Sequence, residues 1–383
     1  MSRFGIIVRD NQSSRAERAD LGTEAYGLRL STVLPGGCNA CTFRVAAPIR
    51  FVPTWLGINY EVRLRDAQGV FWSGRMEQIL PHRSAGGEYW EVTALGFAVN
   101  LDDQLYTAQD VAGLETSAIA GGAITNLTQQ IAVSTVTPTG FTLSAVSAVS
   151  LRMLTAKTVI TWAARYADTS NTPFLWYVYP QNDGDTEFTF APRPSTPDLD
   201  TFLDDMDLFE GGFSVRRLAN RVIVEYNAGA STLTVNDSAL QGSGPTGWGF
   251  VRTAYLYLPE ITQSADATQA ANALLEAASN QRLAARAITM TPGARFFDRY
   301  GAPVAPWRVR SGLLMHIDDI IGASQGIGTL SWNNAALIAG TEYDEDSQVL
   351  TIVPENHELT LDQIVAQVSQ LFRGRHTTAR GAS

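Results

Sequence analysis

Cys38 and Cys41 form a C-x-x-C, a spacing that serves either a dithiol redox pair or half of a zinc site. Zinc needs two further ligands, and the four histidines, His82, His316, His357 and His376, stand at no ligand spacing. The cysteines follow Pro35-Gly36-Gly37 and run into Thr42-Phe43-Arg44-Val45, so they read as small residues between a turn and a strand. Gly242-Ser243-Gly244-Pro245-Thr246-Gly247 matches the glycine pattern that cradles a dinucleotide pyrophosphate. That pattern must open a helix, whereas here Pro245 interrupts it and a strand follows. Gly322-Ala323-Ser324-Gln325-Gly326 matches a nucleophile elbow, with Asp346 and His357 following in hydrolase order. The elbow needs a helix straight after its serine, yet Gly326 to Trp332 reads as loop and then strand.

Carboxylates gather at Asp183/Asp185, Asp204/Asp205/Asp207, Asp318/Asp319 and Asp344/Glu345/Asp346, where they could hold calcium or form an acid/base pair. Most of these groups fall at turns or strand ends, where aspartate serves the backbone, and none has the ligand spacing of an EF-hand. These residues assign no catalytic, cofactor-binding or metal-binding position, and the chain is read as a non-enzyme without a cofactor. Whether Cys38 and Cys41 pair, and whether an acidic turn takes calcium, stays open.

The 383 residues exceed one ordinary core, so about two to four domains are expected. An apolar fraction of 45% with 17% charged residues describes a folded chain. No run reaches transmembrane length, and Met1 to Asp10 lacks a secretory layout, so synthesis in the cytoplasm is expected. The net charge of −10 argues against gripping nucleic acid, since phosphate affinity needs clustered cations. Lys157 is the only lysine, and arginine supplies the rest of the positive charge.

The elements around these residues are mostly strands. In Tyr60 to Arg65, Tyr60, Val62 and Leu64 alternate with Glu61, Arg63 and Arg65, which predicts a half-buried strand with its charged side out. Asp66 to Gly69 is a turn, Val70 to Leu80 returns with Gly74 as an expected bulge, and Tyr89 to Leu95 completes a meander. With strands at Phe4 to Val8, at Tyr26, Leu28 and Leu30, and at Phe43 and Val45, residues 1–107 make one antiparallel barrel or sandwich of about six strands. Arg9 to Thr23 reads as a long polar loop ordered by neighbouring subunits.

Residues 108–200 change character to a small mixed α/β insertion. It holds a helix with Ile124, Leu127 and Ile131 on one face, a Thr155-capped helix, and strands at Phe174 to Tyr179 and Thr186 to Phe190. Residues 201–383 resume barrel-like patterning at Arg221 to Tyr226, with a helix capped by Ser264, a strand from Arg286 to Thr291, and a final helix opened by Thr360-Leu361-Asp362-Gln363. The expected fold is mainly β: two β-barrel-like tube domains flank the α/β insertion, and a helix ends the chain.

Three stretches resemble a known family. Trp72-Ser73-Gly74-Arg75-Met76-Glu77 with Glu91-Val92-Thr93-Ala94-Leu95-Gly96 and Leu101-Asp102-Asp103 is similar to the first barrel of the tail hub proteins of tailed bacteriophages. Leu218-Ala219-Asn220-Arg221-Val222-Ile223-Val224 resembles the start of the second barrel. Pro306-Trp307-Arg308, with Gly312 beyond, resembles a proline-tryptophan stretch later in it. The resemblance implies a structural hub at the tail tip of a virion: a homotrimer whose two barrels per chain make a pseudo-sixfold ring. Its implied partners are the tail tube or distal tail protein and the tip, fibre or tape-measure proteins, with DNA passing through unbound. The bore of such a ring is expected to be acidic or neutral, with Arg63, Arg65 and Arg75 turned to protein neighbours or the exterior. The alternatives are a tail-associated cell-wall hydrolase, which needs a carboxylate pair in a cleft, and a carbohydrate-binding tip module, marked by exposed Trp and Tyr on one surface.

Overall fold

The alternation of Tyr60 to Leu95 is realised as three antiparallel strands within a computed structural model. It describes residues 4–10, 16–22, 24–106, 111–125, 131–144, 154–209, 211–212, 218–243, 247–279, 284–285, 287–318 and 334–355. The first β region contains β1 (Gly5–Arg9), β2 (Glu17–Asp20), β3 (Ala25–Val33), β4 (Gly36–Val45), β5 (Glu61–Asp66), β6 (Gly69–Ser84) and β7 (Gly87–Gly96). They pair antiparallel in the order β2-β1-β5-β6-β7-β4-β3. Asp66 shapes the β5–β6 turn by accepting the Gln68 amide at 2.8 Å, and Gly69 closes it at φ +117°, where a side chain would be strained.

Four local expectations are corrected. Glu17–Asp20, expected in a loop, pairs with β1, because Leu21 is a buried anchor and Arg18 binds the buried Asp10 at 2.7 Å. Gly74 is not a bulge: it lies in register between Val62 and Gly96, and the shifts fall at Leu64/Arg65 and Met76/Gln78. A Cβ on Gly74 would stand 2.3 Å from the Leu95 carbonyl oxygen, so close approach demands the glycine. In β5, Glu61 and Arg63 are buried along with Val62 and Leu64: the turn at Gly184 lies against the Arg63 guanidinium, which in turn binds Glu61. In β3, a register shift at Tyr26/Arg29, with Gly27 at φ +63°, turns Tyr26 outward while Leu28 and Leu30 stay buried.

The middle of the chain holds α1 (Thr116–Ala123), β8 (Val133–Val136), α2 (Ala156–Ala163), β9 (Phe174–Pro180) and β10 (Thr186–Pro192). The helix expected on Ile124, Leu127 and Ile131 falls largely on residues outside the described ones, and the described helix here is α1. Ile119, Ala120 and Ala123 are its buried apolar residues, Ile124 caps it, Ile131 precedes β8, and Leu127 is outside the described residues. Thr155 caps α2 as read, its hydroxyl accepting the Thr158 amide at 3.3 Å, and Val159, Ile160, Trp162 and Ala163 are buried behind it. Strand β9 runs antiparallel to β10 and parallel to β4, and β8 runs parallel to β10.

The remaining elements are β11 (Leu199–Phe202), β12 (Met206–Leu208), β13 (Gly211–Gly212), β14 (Arg221–Tyr226), β15 (Ser231–Asn236), α3 (Ser238–Gln241), β16 (Thr253–Leu258), α4 (Ser264–Ser279) and β17 (Ala284–Ala285). They continue through β18 (Ile288–Met290), β19 (Phe296–Asp298), β20 (Pro303–Val304), β21 (Leu314–Asp318), β22 (Ala335–Asp344) and β23 (Val349–Pro354). Ser264 is the first residue of α4 and not its cap. Strands β14, β15 and β16, expected in a second barrel, form a separate three-stranded sheet backed by α4. Their inner residues Val222, Val224 and Leu258 join one apolar cluster with α1, α2, β9 and β10.

Strands β11, β12 and β18 to β23 pack instead with the first β region: Met290, Phe296, Met315 and Ile352 share a cluster with Phe4, Phe43, Leu64 and Trp72. The joint is β22, which pairs antiparallel with β3 on one side and β23 on the other. Among the described residues neither β region closes into a barrel. The edge of β3 that could close the first one is taken by β22, so the two regions form one open, continuous sheet. The expected final helix at 360–372 and the elbow at 322–326 lie outside the described residues.

Candidate functional site

Two constellations tie distant parts of the sequence together, and both sit where the β regions and the middle unit meet. The first is built on the β5–β6 turn. Trp307 Nε1 donates to Asp66 Oδ2 at 2.8 Å, Arg308 Nε donates to the same oxygen at 2.8 Å, and Arg308 Nη2 bonds Asp66 Oδ1 and the Gly69 carbonyl, the latter at 3.0 Å. Burial pushes the Asp66 carboxyl up, but the hydrogen bonds from Arg308, Trp307 and the Gln68 amide outweigh it and hold the group below its ordinary range. Trp307 also meets Phe4 edge-on at 5.1 Å and Tyr343 at 6.1 Å, and the Arg308 guanidinium lies 5.7 Å from the Phe71 ring. The same turn touches the middle unit, since the Val70 amide donates to the Asn182 carbonyl at 3.0 Å.

The second constellation is a buried chain of hydroxyls. Tyr179 on β9 donates to the Ser311 carbonyl at 2.9 Å and shares a hydrogen bond with its Oγ at 2.8 Å. The Ser311 amide donates to Thr32 Oγ1 on β3 at 2.9 Å, and Thr32 shares a hydrogen bond of 2.7 Å with Thr341 on β22. All three segments of the chain thus meet in one satisfied polar network, of the kind that fixes a single arrangement of packed elements. Arg193, at the end of β10, adds a forked pair to Glu355 beyond β23, with Nη1 donating to Oε1 at 3.0 Å.

The residues singled out for chemistry are engaged in structure. Cys38 and Cys41 are free thiols buried in β4; burial pushes Cys38 up to about 12 and raises Cys41 as well, so neither carries the thiolate needed for redox or metal chemistry at neutral pH. Asp183 Oδ1 accepts the Asp185 amide, and Asp344 Oδ1 accepts the amides of Asp346 and Ser347, which are turn roles. Asp205 binds Arg295 at 3.0 Å, while Asp318 lies 3.5 Å and Asp200 3.3 Å from His316 Nδ1. Asp319, Ser324, His357 and His376 are outside the described residues, and His82 stacks on Tyr89 at 4.8 Å. Among the described residues no group of three or more His, Cys, Asp or Glu side chains could hold a metal ion. Gly242 follows α3 and the next described element is β16, while Gly244, Pro245 and Thr246 lie outside the described residues.

Each of the three arginines in question binds acids of its own chain: Arg63 bonds Glu61 at 2.7 Å with both side chains buried, Arg65 bonds Asp20 at 2.7 Å, and Arg75 bonds Asp103 at 2.7 Å and Asn100 at 2.6 Å. Sequence reading saw Asp66 only as a turn residue and Tyr179 only as a strand residue, and gave Thr32 and Ser311 no role. Asp266, fully buried in the first turn of α4, has a carboxylate that accepts both the amide and the hydroxyl of Ser144, a contact that helix position alone does not show. The available signal was the Trp307-Arg308 pair, a planar donor set that fits a carboxylate.

No protein-family model matches the chain, and no curated protein matches it by sequence. Among solved structures it is similar to a tail protein from Neisseria meningitidis, with TM-score 0.58 and 13% identity over 92% of this chain and 97% of that one. It is also similar to the 43 kDa tail protein of prophage MuSo2 from Shewanella oneidensis, with TM-score 0.56 and 13% identity over 91% and 98% of the two chains. A prophage tail protein from Listeria monocytogenes aligns with TM-score 0.53 and 14% identity over 96% and 99%. Among the described residues no helix is long and apolar enough to cross a membrane. Over most of its length, therefore, the chain has the fold of these phage tail proteins.

Proposed function

We propose that the chain is a structural hub at the distal end of a phage tail. It joins the tail tube or distal tail protein to the tip, fibre or tape-measure proteins and forms part of the DNA conduit as a homotrimer. The observation that carries this reading is the pairing of β3 with β22, which makes the two β regions one continuous wall with a shared core. Such a wall suits a ring: three chains present six β regions, matching a sixfold tube. The proposed division is 1–107, 108–200 and 201–383, with β14 to β16 and α4 packed on the middle segment. An acidic balance and the pairing of Arg63, Arg65 and Arg75 with acids support a bore that lets phosphates pass without holding them. No covalent chemistry is assigned to the chain. The test is a phage from which the chain is deleted: heads are expected without complete infectious tails, and normal tails with only a wall-lysis defect would overturn the reading.

A further inference from the structure

The sheet β15-β14-β16 rests one face on α4 and, among the described residues, leaves the other open. Strand pairing sets the open face as three rows: Asn236, Arg221 and Thr253; Thr234, Ile223 and Tyr255; and Thr232, Glu225 and Tyr257. Tyr255 is 59% and Tyr257 48% exposed, although inward neighbours on the same sheet such as Val222 and Val224 are fully buried. The two tyrosines lie two residues apart on edge strand β16, so their rings repeat at roughly 6.6 Å along it. Glu225 accepts the Tyr255 hydroxyl, which fixes that ring, and Arg221 Nε donates to Asn236 Oδ1 at 3.1 Å.

The chemistry of this face selects its occupant. The core of a protein partner's footprint would need apolar contact with charge removed, but in these three rows Ile223 is the only aliphatic side chain, the exposed Phe250 and Val251 lie before β16, and Glu225 sits on the central strand. Nucleic acid would need cations for its phosphates. Arg221 is the only one on the face, and Glu225 would repel them. A polyhydroxylated chain needs flat aromatic surfaces for its C–H faces, together with donors and acceptors for its hydroxyls. The two tyrosines, Glu225, Asn236, Arg221 and the threonines supply both.

We propose that this open face binds a neutral polysaccharide, with Tyr255 and Tyr257 as stacking platforms and Glu225, Asn236 and Arg221 as hydrogen-bonding groups. The proposal rests on the tail reading only for where such a polymer would be met. The test uses the purified full chain without the particle, so the two readings can fail separately.

Calorimetric titration with chitohexaose, cellohexaose and maltohexaose is expected to show saturable binding of at least one. Binding should weaken at least about tenfold in the Tyr255→Ala/Tyr257→Ala variant, the loss of roughly 1.4 kcal/mol. Tyr257→Phe, which keeps the ring, should retain most of it, and thermal melting should be unchanged in both. Absence of binding to all three sugars at millimolar concentration, or equal binding by the double alanine variant, overturns the proposal. Tyrosine-dependent binding of single-stranded DNA in place of sugar would also overturn it and assign the face to nucleic acid.

Discussion

Asp66 and Arg308 stand 242 residues apart in the sequence, yet the guanidinium of one grips both carboxylate oxygens of the other across the seam between the two β regions. Asp66 lies in the turn before the first stretch by which the chain resembles tail hubs and Arg308 lies in the third, so the contact joins the neighbourhoods of two motifs far apart in the sequence.

Asp66→Ala is expected to cost about 2–4 kcal/mol, because it leaves Arg308 and Trp307 facing a poorly solvated gap. The sign of the pH dependence follows from the depressed Asp66 value. The clasp contributes fully above the unfolded carboxylate value of about 3.9, and its contribution is lost as pH falls through the lower folded value. Urea melts of the parent and of Asp66→Asn should therefore differ most at neutral pH and converge in acid; a constant gap down to the acid limit would contradict the assignment.

Thr32→Val keeps shape while removing a hydroxyl that serves both the Ser311 amide and Thr341. The loss should be roughly 1–3 kcal/mol, since a buried amide is left without an acceptor. Thr341→Val removes only a hydroxyl partner and should cost less. A reversed order in chemical denaturation would show that the network is not centred on Thr32.

Gly37 sits at φ +91°, and a Cβ there would stand 2.2 Å from the Val178 carbonyl oxygen. It is the point where β4 meets β9 and the middle unit joins the sheet. Gly37→Ala should destabilise the chain by about 3 kcal/mol or more and expose the 36–37/177–178 junction to protease, because both the conformation and the space exclude a methyl group. Gly87, also at positive φ but with nothing nearby, should tolerate alanine at a cost of about 1–2 kcal/mol.

The buried thiols give a chemical readout. Burial raises both Cys38 and Cys41, so neither should react with a thiol reagent at pH 8 in the native state, and both should react once urea unfolds the chain. Rapid native labelling would show that β4 opens locally.

What could be read in the sequence was local. The β5–β7 meander and the Thr155 cap depend on residues within a turn or a hairpin of one another, and they appear as read. Arg63 looked solvent-facing, but the turn at Gly184 lies against it and it binds the buried Glu61, contacts that no periodicity in β5 can announce. Barrel closure failed for a related reason: strand patterning shows which face is buried, but not whether β3 will pair with β1 or with β22 from the far end of the chain. The C-x-x-C shows how spacing alone misleads: both cysteines are strand residues buried in β4.

The central claim is that this chain forms the hub ring at the distal end of a tail. Electron cryo-microscopy of the intact particle, with the chain marked by a bound antibody fragment, tests it most directly. The account predicts three copies at the distal tail end, arranged so that their paired β regions make a pseudo-sixfold ring with an acidic or neutral bore. Label along the tube or at the head, or a distal ring whose bore is lined by a continuous belt of arginines, would contradict it.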